Sequence, residues 1–214
     1  MTQMEKAYFE KRGQILVKNL RNRHFDAWYC DTKEDALAKV LELIPEGAKI
    51  GRGGVLSAQQ IGLFDALRAG NYNLLDRDLC QTQEEREQMM KDALFSDVFL
   101  TGANGLSLDG QMVNIDGTGN RVSATLYGHK KLYIIIGVNK IAPDYDAALW
   151  RARNIAAPKN AQRLKRNTPC AVNADRCYNC KSPDRICNGL VVFWHKMRGI
   201  KDVEVVIINQ ELGY

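Results

Sequence analysis

The chain has 214 residues, of which 45% are hydrophobic and 26% charged, and a formal net charge of +5. That size and balance fit one folded domain and exclude a disordered or collagen-like chain. The mild basic excess is interleaved with acids over most of the length, which argues against a nucleic-acid partner.

No apolar run approaches the roughly 18 residues that a membrane-spanning helix needs, so no membrane association is expected. Met1-Thr-Gln-Met-Glu-Lys opens without the basic and apolar regions of a secretory leader. A cytoplasmic setting with reduced thiols is therefore expected.

From Met4 to Arg21, Tyr8, Ile15, Leu16 and Leu20 recur among charges at helical spacing, which predicts an amphipathic helix. Phe25 to Cys30 reads as a short strand, with Cys30 a small packed residue. Thr32, with Glu34 and Asp35 behind it, starts a second helix that Pro45-Glu-Gly47 ends. Ala48-Lys-Ile50 is a strand, followed by Gly51-Arg52-Gly53-Gly54. Ser57-Ala-Gln-Gln60 then reads as the capping box of a helix running to Gly70.

A strand, a glycine loop and a helix in that order expose backbone N–H groups to an anion. The loop lacks the G-K-[ST] ending of a nucleotide-binding P-loop and the G-x-G-x-x-G spacing. Ligand binding and a plain tight turn both remain open for it.

Tyr72 to Leu75 is strand-like, and Thr82-Gln-Glu-Glu85 caps a helix carrying Met89 and Met90. Asp97 to Gly102 is a buried strand. Next comes the densest polar stretch, from Gly102 to Arg121. Asp109-Gly110 between apolar runs signals a hairpin. Asn114 and Asp116 alternate with Val113 and Ile115, so the polar pair shares one strand face. With Asn104, Asn120 and Arg121 they form a candidate polar pocket, the alternative being a hydrogen-bonded turn.

Leu132 to Gly137 is almost continuously apolar, as for a central strand covered on both faces. Asn139 and Lys140 leave its C-terminal end, where ligands gather in open α/β sheets. His129 reads as a surface residue. Asp144 opens a long helix that Pro158 ends or kinks. Lys159, Arg163, Lys165 and Arg166 form the one local basic cluster, either a solvated helix end or an anion contact.

Cys170, Cys177, Cys180 and Cys187 follow in a C-x6-C-x2-C-x6-C pattern rich in turn residues. A C-x2-C pair can turn both sulfurs toward one centre, so a [4Fe-4S] cluster is expected, with a four-thiolate Zn2+ site as the alternative. Gly189 to Trp194 and Val203 to Ile208 read as the last strands. Strands alternating with helices predict an α/β fold with a mostly parallel sheet flanked by helices.

Several of these motifs agree in order with one family. They are Gly51-Arg-Gly-Gly54 with its following helix, Thr101-Gly-Ala-Asn104, Val113-Asn-Ile-Asp-Gly-Thr-Gly-Asn-Arg121, Ile136-Gly-Val-Asn-Lys-Ile141 and Cys177-Tyr-Asn-Cys-Lys-Ser-Pro-Asp-Arg-Ile-Cys187. Together they resemble the lactate-utilization (LUD-domain) family from about Tyr8 to Asn209.

The resemblance implies one domain over 1–214, with a cysteine-rich loop at about 168–188. It implies a fold similar to the sugar-phosphate isomerase and CoA-transferase superfamily. Some members take part in oxidising L-lactate to pyruvate beside iron–sulfur proteins. This chain lacks their C-x2-C-x2-C-x3-C-P motif and carries the shorter stretch instead. The expectation is a redox-associated protein for a small hydroxy or keto acid, with iron–sulfur or flavin partner proteins. Two other readings stay open: a zinc-stapled protein that binds a small anion without chemistry, and an isomerase- or transferase-like enzyme.

Overall fold

A computed structural model describes residues 1–214. Helix α1 (Gln3–Asn22) starts at a reciprocal capping box between Thr2 and Glu5. Strand β1 (Asp26–Cys30), helix α2 (Lys33–Leu43), strand β2 (Lys49–Arg52), helices α3 (Leu56–Gln60) and α4 (Leu63–Ala69), and strand β3 (Asn73–Leu74) follow. Helix α5 (Gln83–Ala93) leads into β4 (Val98–Thr101), the hairpin β5 (Gly105–Ser107) and β6 (Met112–Asp116), and helix α6 (Asn120–Ala124).

The second half comprises β7 (Lys131–Gly137), β8 (Ile141–Ala142), α7 (Tyr145–Arg151), α8 (Ala157–Arg163), α9 (Pro169–Asn173), β9 (Gly189–Phe193) and β10 (Asp202–Ile208).

Six strands form a sheet in the order β1-β10-β7-β4-β2-β3, every pair parallel. The alternation of side chains along β7 splits the core in two. Leu132, Ile134 and Ile136 face one apolar cluster with Leu16, Val17 and Leu20 of α1. Tyr133 and Ile135 face the other, with Ala36 and Val40 of α2, Ala58 of α3 and Phe64 of α4. A strand buried on both faces must be apolar at nearly every position, which explains Leu-Tyr-Ile-Ile-Ile. The remaining strands make a smaller sheet, β8-β5-β6-β9, in which β6 pairs antiparallel with β5 and β9. The tight hairpin turn uses Gly110 at φ +92°.

Four sequence expectations need correction. The helix expected from Ser57 to Gly70 is two helices, because Gly62 adopts φ +78° and breaks the run. Ser57 does not cap it. Its hydroxyl donates to the Ile135 carbonyl, 2.6 Å away, and so ties α3 to β7. His129 is 2% exposed, stacked on Phe99, with Nδ1 2.8 Å from the Ser96 carbonyl oxygen. Its neighbours Lys130 and Lys131 misled because the chain enters the buried β7 at that point. Of the two outcomes expected at Pro158, ending or kinking the helix, the ending does not occur: a π-helical turn at Ala152–Ala156 interrupts the regular helix before it, and α8 continues to Arg163. The wider turn relieves the clash of the proline ring with the carbonyl four residues back, which has lost its donor.

No helix of the structure is long and apolar enough to cross a membrane. Parallel strands place all their C-terminal ends on one edge. There β2, β3, β4 and β7 deliver the glycine loop, Arg77, Gly102 to Asn104, and Val138 to Lys140.

Candidate functional site: a basic cavity beside a cysteine loop

Those loops line a cavity of about 310 Å3. Its floor is organised by Arg121. The guanidinium donates to Asn114 Oδ1 (2.7 Å), Asn104 Oδ1 (3.0 Å) and the Ile115 carbonyl (2.7 Å), and Nε faces Asp116 Oδ2 at 3.5 Å. Burial pulls the Arg121 pKa below its ordinary value, and Asp116 opposes that shift.

Asp116 in turn accepts from the N–H groups of Thr118 (3.1 Å), Gly119 (3.0 Å) and Val122 (3.3 Å), which closes the turn into α6. Both groups are committed to protein partners, so they shape the cavity more than they reach into it. A Cβ on Gly53 would stand 2.7 Å from Arg121 Cγ, so glycine there lets the arginine stem pass.

Arg52 is also committed. It bonds Asp76 at 2.8 Å and Asp78 at 2.5 Å, and lies over the Phe64 ring. Burial pushes the Asp76 carboxyl up, but bonds from Arg52 and Arg68 outweigh it and leave the pKa below the ordinary value. Arg151 supports the cavity from behind, donating to the carbonyls of Asn139 (2.8 Å) and Asn104 (2.5 Å).

Lys140 differs from all of these. It is 5% exposed, lines the cavity, makes no ion pair with any carboxylate, and is opposed by the neighbouring cations Arg151, Lys159 and Arg121. Burial first, and those cations second, pull its pKa down to about 7. A buried ammonium with no counter-ion is a strong sign of an anionic ligand. Asn120 lines the cavity close by. At the rim stand Arg77, Arg163 and Arg166. Arg77 donates to the Gly53 carbonyl at 3.3 Å and lies in the field of Arg52 and Arg163.

Of the residues singled out in the sequence, Arg52, Gly54, Asn104, Asp116, Asn120, Arg121 and Lys140 line the cavity. Gly53 and Asn114 lie one layer behind, against Arg121. Gly51 sits inside β2, where a Cβ would meet Ala93 and Ser96. Asn139 faces away and accepts from the Leu212 N–H at 3.1 Å. Arg163 and Arg166 belong to the basic cluster noted in the sequence. Arg77 was missed. Its signal is the Asp76-Arg-Asp78 triplet directly after β3, a strand whose C-terminal end shares the site's edge.

The cysteine loop abuts the cavity wall. Ile186 lines the cavity, and the neighbouring Asn188 N–H donates to the Asp116 carbonyl at 2.9 Å. A Cβ on Gly117 would collide with the Ile186 backbone. The donor chemistry fits a thiolate-bound metal or cluster. All four cysteines are free thiols, and Cys177 Sγ accepts from the Asn179 N–H at 3.4 Å and from Arg153 at 3.8 Å. Arg185 holds the carbonyls of Cys180 (2.7 Å) and Cys187 (3.0 Å). Burial pushes the Cys187 thiol up, while Arg185 opposes it. The four sulfurs are not gathered in a ligating geometry: no three His, Cys, Asp or Glu side chains cluster that way. Cys30, by contrast, is buried in the core, and burial raises its thiol to about 11, as for an inert packing residue.

A family model described as the LUD domain matches residues 13–208. Among solved structures, a DUF162 family protein from Deinococcus radiodurans is similar in fold, with a TM-score of 0.50 and 10% sequence identity. The match covers 95% of this chain and 98% of that one. No curated protein matches the chain in sequence.

Proposed function

The chain belongs to the LUD-domain, or lactate-utilization, family, and on that premise we propose that it binds a small hydroxy or keto acid by its carboxylate, and that the cysteine loop relays electrons to or from an iron–sulfur or flavin partner protein that supplies the two-electron chemistry. The observation that carries this reading is Lys140, a buried ammonium without a counter-ion, facing a cavity whose wall continues into Ile186 and Cys187.

A carboxylate entering the cavity would pair with Lys140 and raise its pKa, keeping it protonated at neutral pH. The Asn120 amide would take a hydroxyl or keto oxygen. Arg121, Asp116 and Asn104 hold the walls in register and are not themselves consumed by the ligand. Cys170, Cys177, Cys180 and Cys187 would hold a [4Fe-4S] cluster, which supplies one-electron transfer when bound. Arg153 and Arg185 would offset the negative charge of the thiolates.

The test is an iron, zinc and acid-labile sulfide assay on protein purified without oxygen, joined to a calorimetric titration with L-lactate and pyruvate. Iron and sulfide near four each per chain, with millimolar or tighter binding of either acid, is the expected result. One zinc without sulfide would make the loop a structural staple. No saturable binding of either acid would overturn the carboxylate assignment.

A further inference from the structure

Six cationic side chains line the cavity, Arg52, Arg77, Arg121, Lys140, Arg163 and Arg166, against one lining side-chain carboxylate, Asp116; the Tyr214 main-chain oxygen, also in the lining, accepts from Arg151. Arg52 is neutralised by Asp76 and Asp78, and Arg121 by Asp116 and its amide partners. The other four have no carboxylate within ion-pairing distance.

They fall into two groups. Lys140 is buried at the inner end and feels Arg151, Lys159 and Arg121. Arg77 and Arg163 feel each other at the rim, with Arg166 beside them on the cavity wall. Gly54 and Val55 line the same cavity. Their N–H groups donate to no protein acceptor, and a Cβ on Gly54 would stand 3.7 Å from Arg77 Nη2.

We propose that the cavity takes a small acid carrying two anionic groups, a carboxylate on Lys140 and a phosphate monoester on Arg77, Arg163 and Arg166. This rests on the reading of the cavity as the carboxylate site and narrows its ligand. A three-carbon monoanion neutralises one end only and leaves the rim arginines repelling one another. A phosphate monoester brings nearly two charges and three acceptor oxygens, which match the forked donors of arginine. Lys140, a compact point charge, suits the carboxylate. Size agrees: about 310 Å3 is room for roughly ten waters at ~30 Å3 each, far more than lactate fills.

The experiment is a calorimetric titration of the full chain with 3-phosphoglycerate, inorganic phosphate and L-lactate. It is repeated on the Arg163→Gln/Arg166→Gln variant, whose two positions are exposed, with circular dichroism to show that the variant is folded. The expected result is 3-phosphoglycerate binding at least 30-fold more tightly than L-lactate. The double variant should lose at least 10-fold in 3-phosphoglycerate affinity, while lactate affinity changes far less.

Lactate binding as tightly as 3-phosphoglycerate would overturn the two-anion proposal and leave the carboxylate reading standing. Phosphate alone binding as tightly as 3-phosphoglycerate would overturn the carboxylate end. A variant indifferent for 3-phosphoglycerate would overturn the rim assignment. Failure of all three anions to bind would overturn both the proposal and the reading beneath it.

Discussion

The cavity and the cysteine loop are neighbours built on opposite principles. In the cavity, Asn104, Asn114, Asp116 and Arg121 bond one another, so the walls are fixed before any ligand arrives. In the loop, Cys177, Cys180 and Cys187 are half-exposed, Ala174 and Asn179 take left-handed backbone conformations, and the sulfurs do not form a ligating cluster. The difference teaches that the cavity is tied side chain to side chain, whereas the loop is tied mainly through its backbone, by Arg185 and Asn188, with its four thiols unjoined. Preorganised donors keep their geometry without a ligand, and under the proposed function a metal on the thiols would add order to the loop.

The largest effect should come from removing the metal that the proposed function places on the loop. Cys177→Ser, or a strong chelator, should strip the loop of metal and of its hydrogen-exchange protection over 168–188, while protection across β4, β6 and β7 stays within experimental error. Structural metal binding is worth on the order of 10 kcal/mol, so the contrast should be unmistakable by exchange mass spectrometry. Equal loss in both regions would erase the distinction between them.

Breaking the cavity's own supports comes next. Asp76→Asn leaves the buried Arg52 with Asp78 as its one carboxylate partner and should cost about 1–3 kcal/mol in denaturant unfolding. The Asp76 pKa is lowered in the folded state. Its contribution is therefore present above the ordinary carboxylate range and is lost as pH falls through the folded value. The wild type and variant should accordingly converge in acid.

Lys140 gives a smaller effect of opposite sign. Its folded pKa of about 7 lies below its ordinary 10.5, so below pH 7 the fold carries the full penalty of a buried charge. Between pH 7 and 10.5 the folded state has already released the proton, and the penalty fades as pH rises toward the unfolded value. Lys140→Met should therefore stabilise the protein by a few kcal/mol at pH 6, by less at pH 9, and should abolish carboxylate binding at both. A thermal-melting series over pH reads the trend directly. Stabilisation that grows with pH would contradict the assignment.

Much of this architecture was legible in the residues. The periods of α1, β7 and β10, the Thr32 and Thr82 caps and the Asp109-Gly110 hairpin act through neighbours within a few positions, so local pattern suffices for them. The cavity was legible in part, since strand C-termini in a parallel sheet share an edge and draw Arg52, Asn104 and Lys140 together. Partnership was not legible. Sequence made both Arg121 and Lys140 pocket candidates, yet one has its N–H groups committed and the other has none. Arg77 and Asn139 were misjudged for the same reason: which way a loop side chain turns is decided by residues far along the chain. His129 and Pro158 show tertiary burial and a π turn overriding local expectation.

The most direct test of the central claim, a buried lysine awaiting a carboxylate, is calorimetric titration with pyruvate at pH 8 in two buffers of different ionisation enthalpy. At that pH Lys140 is largely neutral, and pairing with an anion should recharge it. The account predicts uptake approaching one proton per pyruvate bound, absent in Lys140→Met, with affinity weakening as pH rises above 7. Pyruvate binding with no proton uptake, or with uptake unchanged in Lys140→Met, would contradict it.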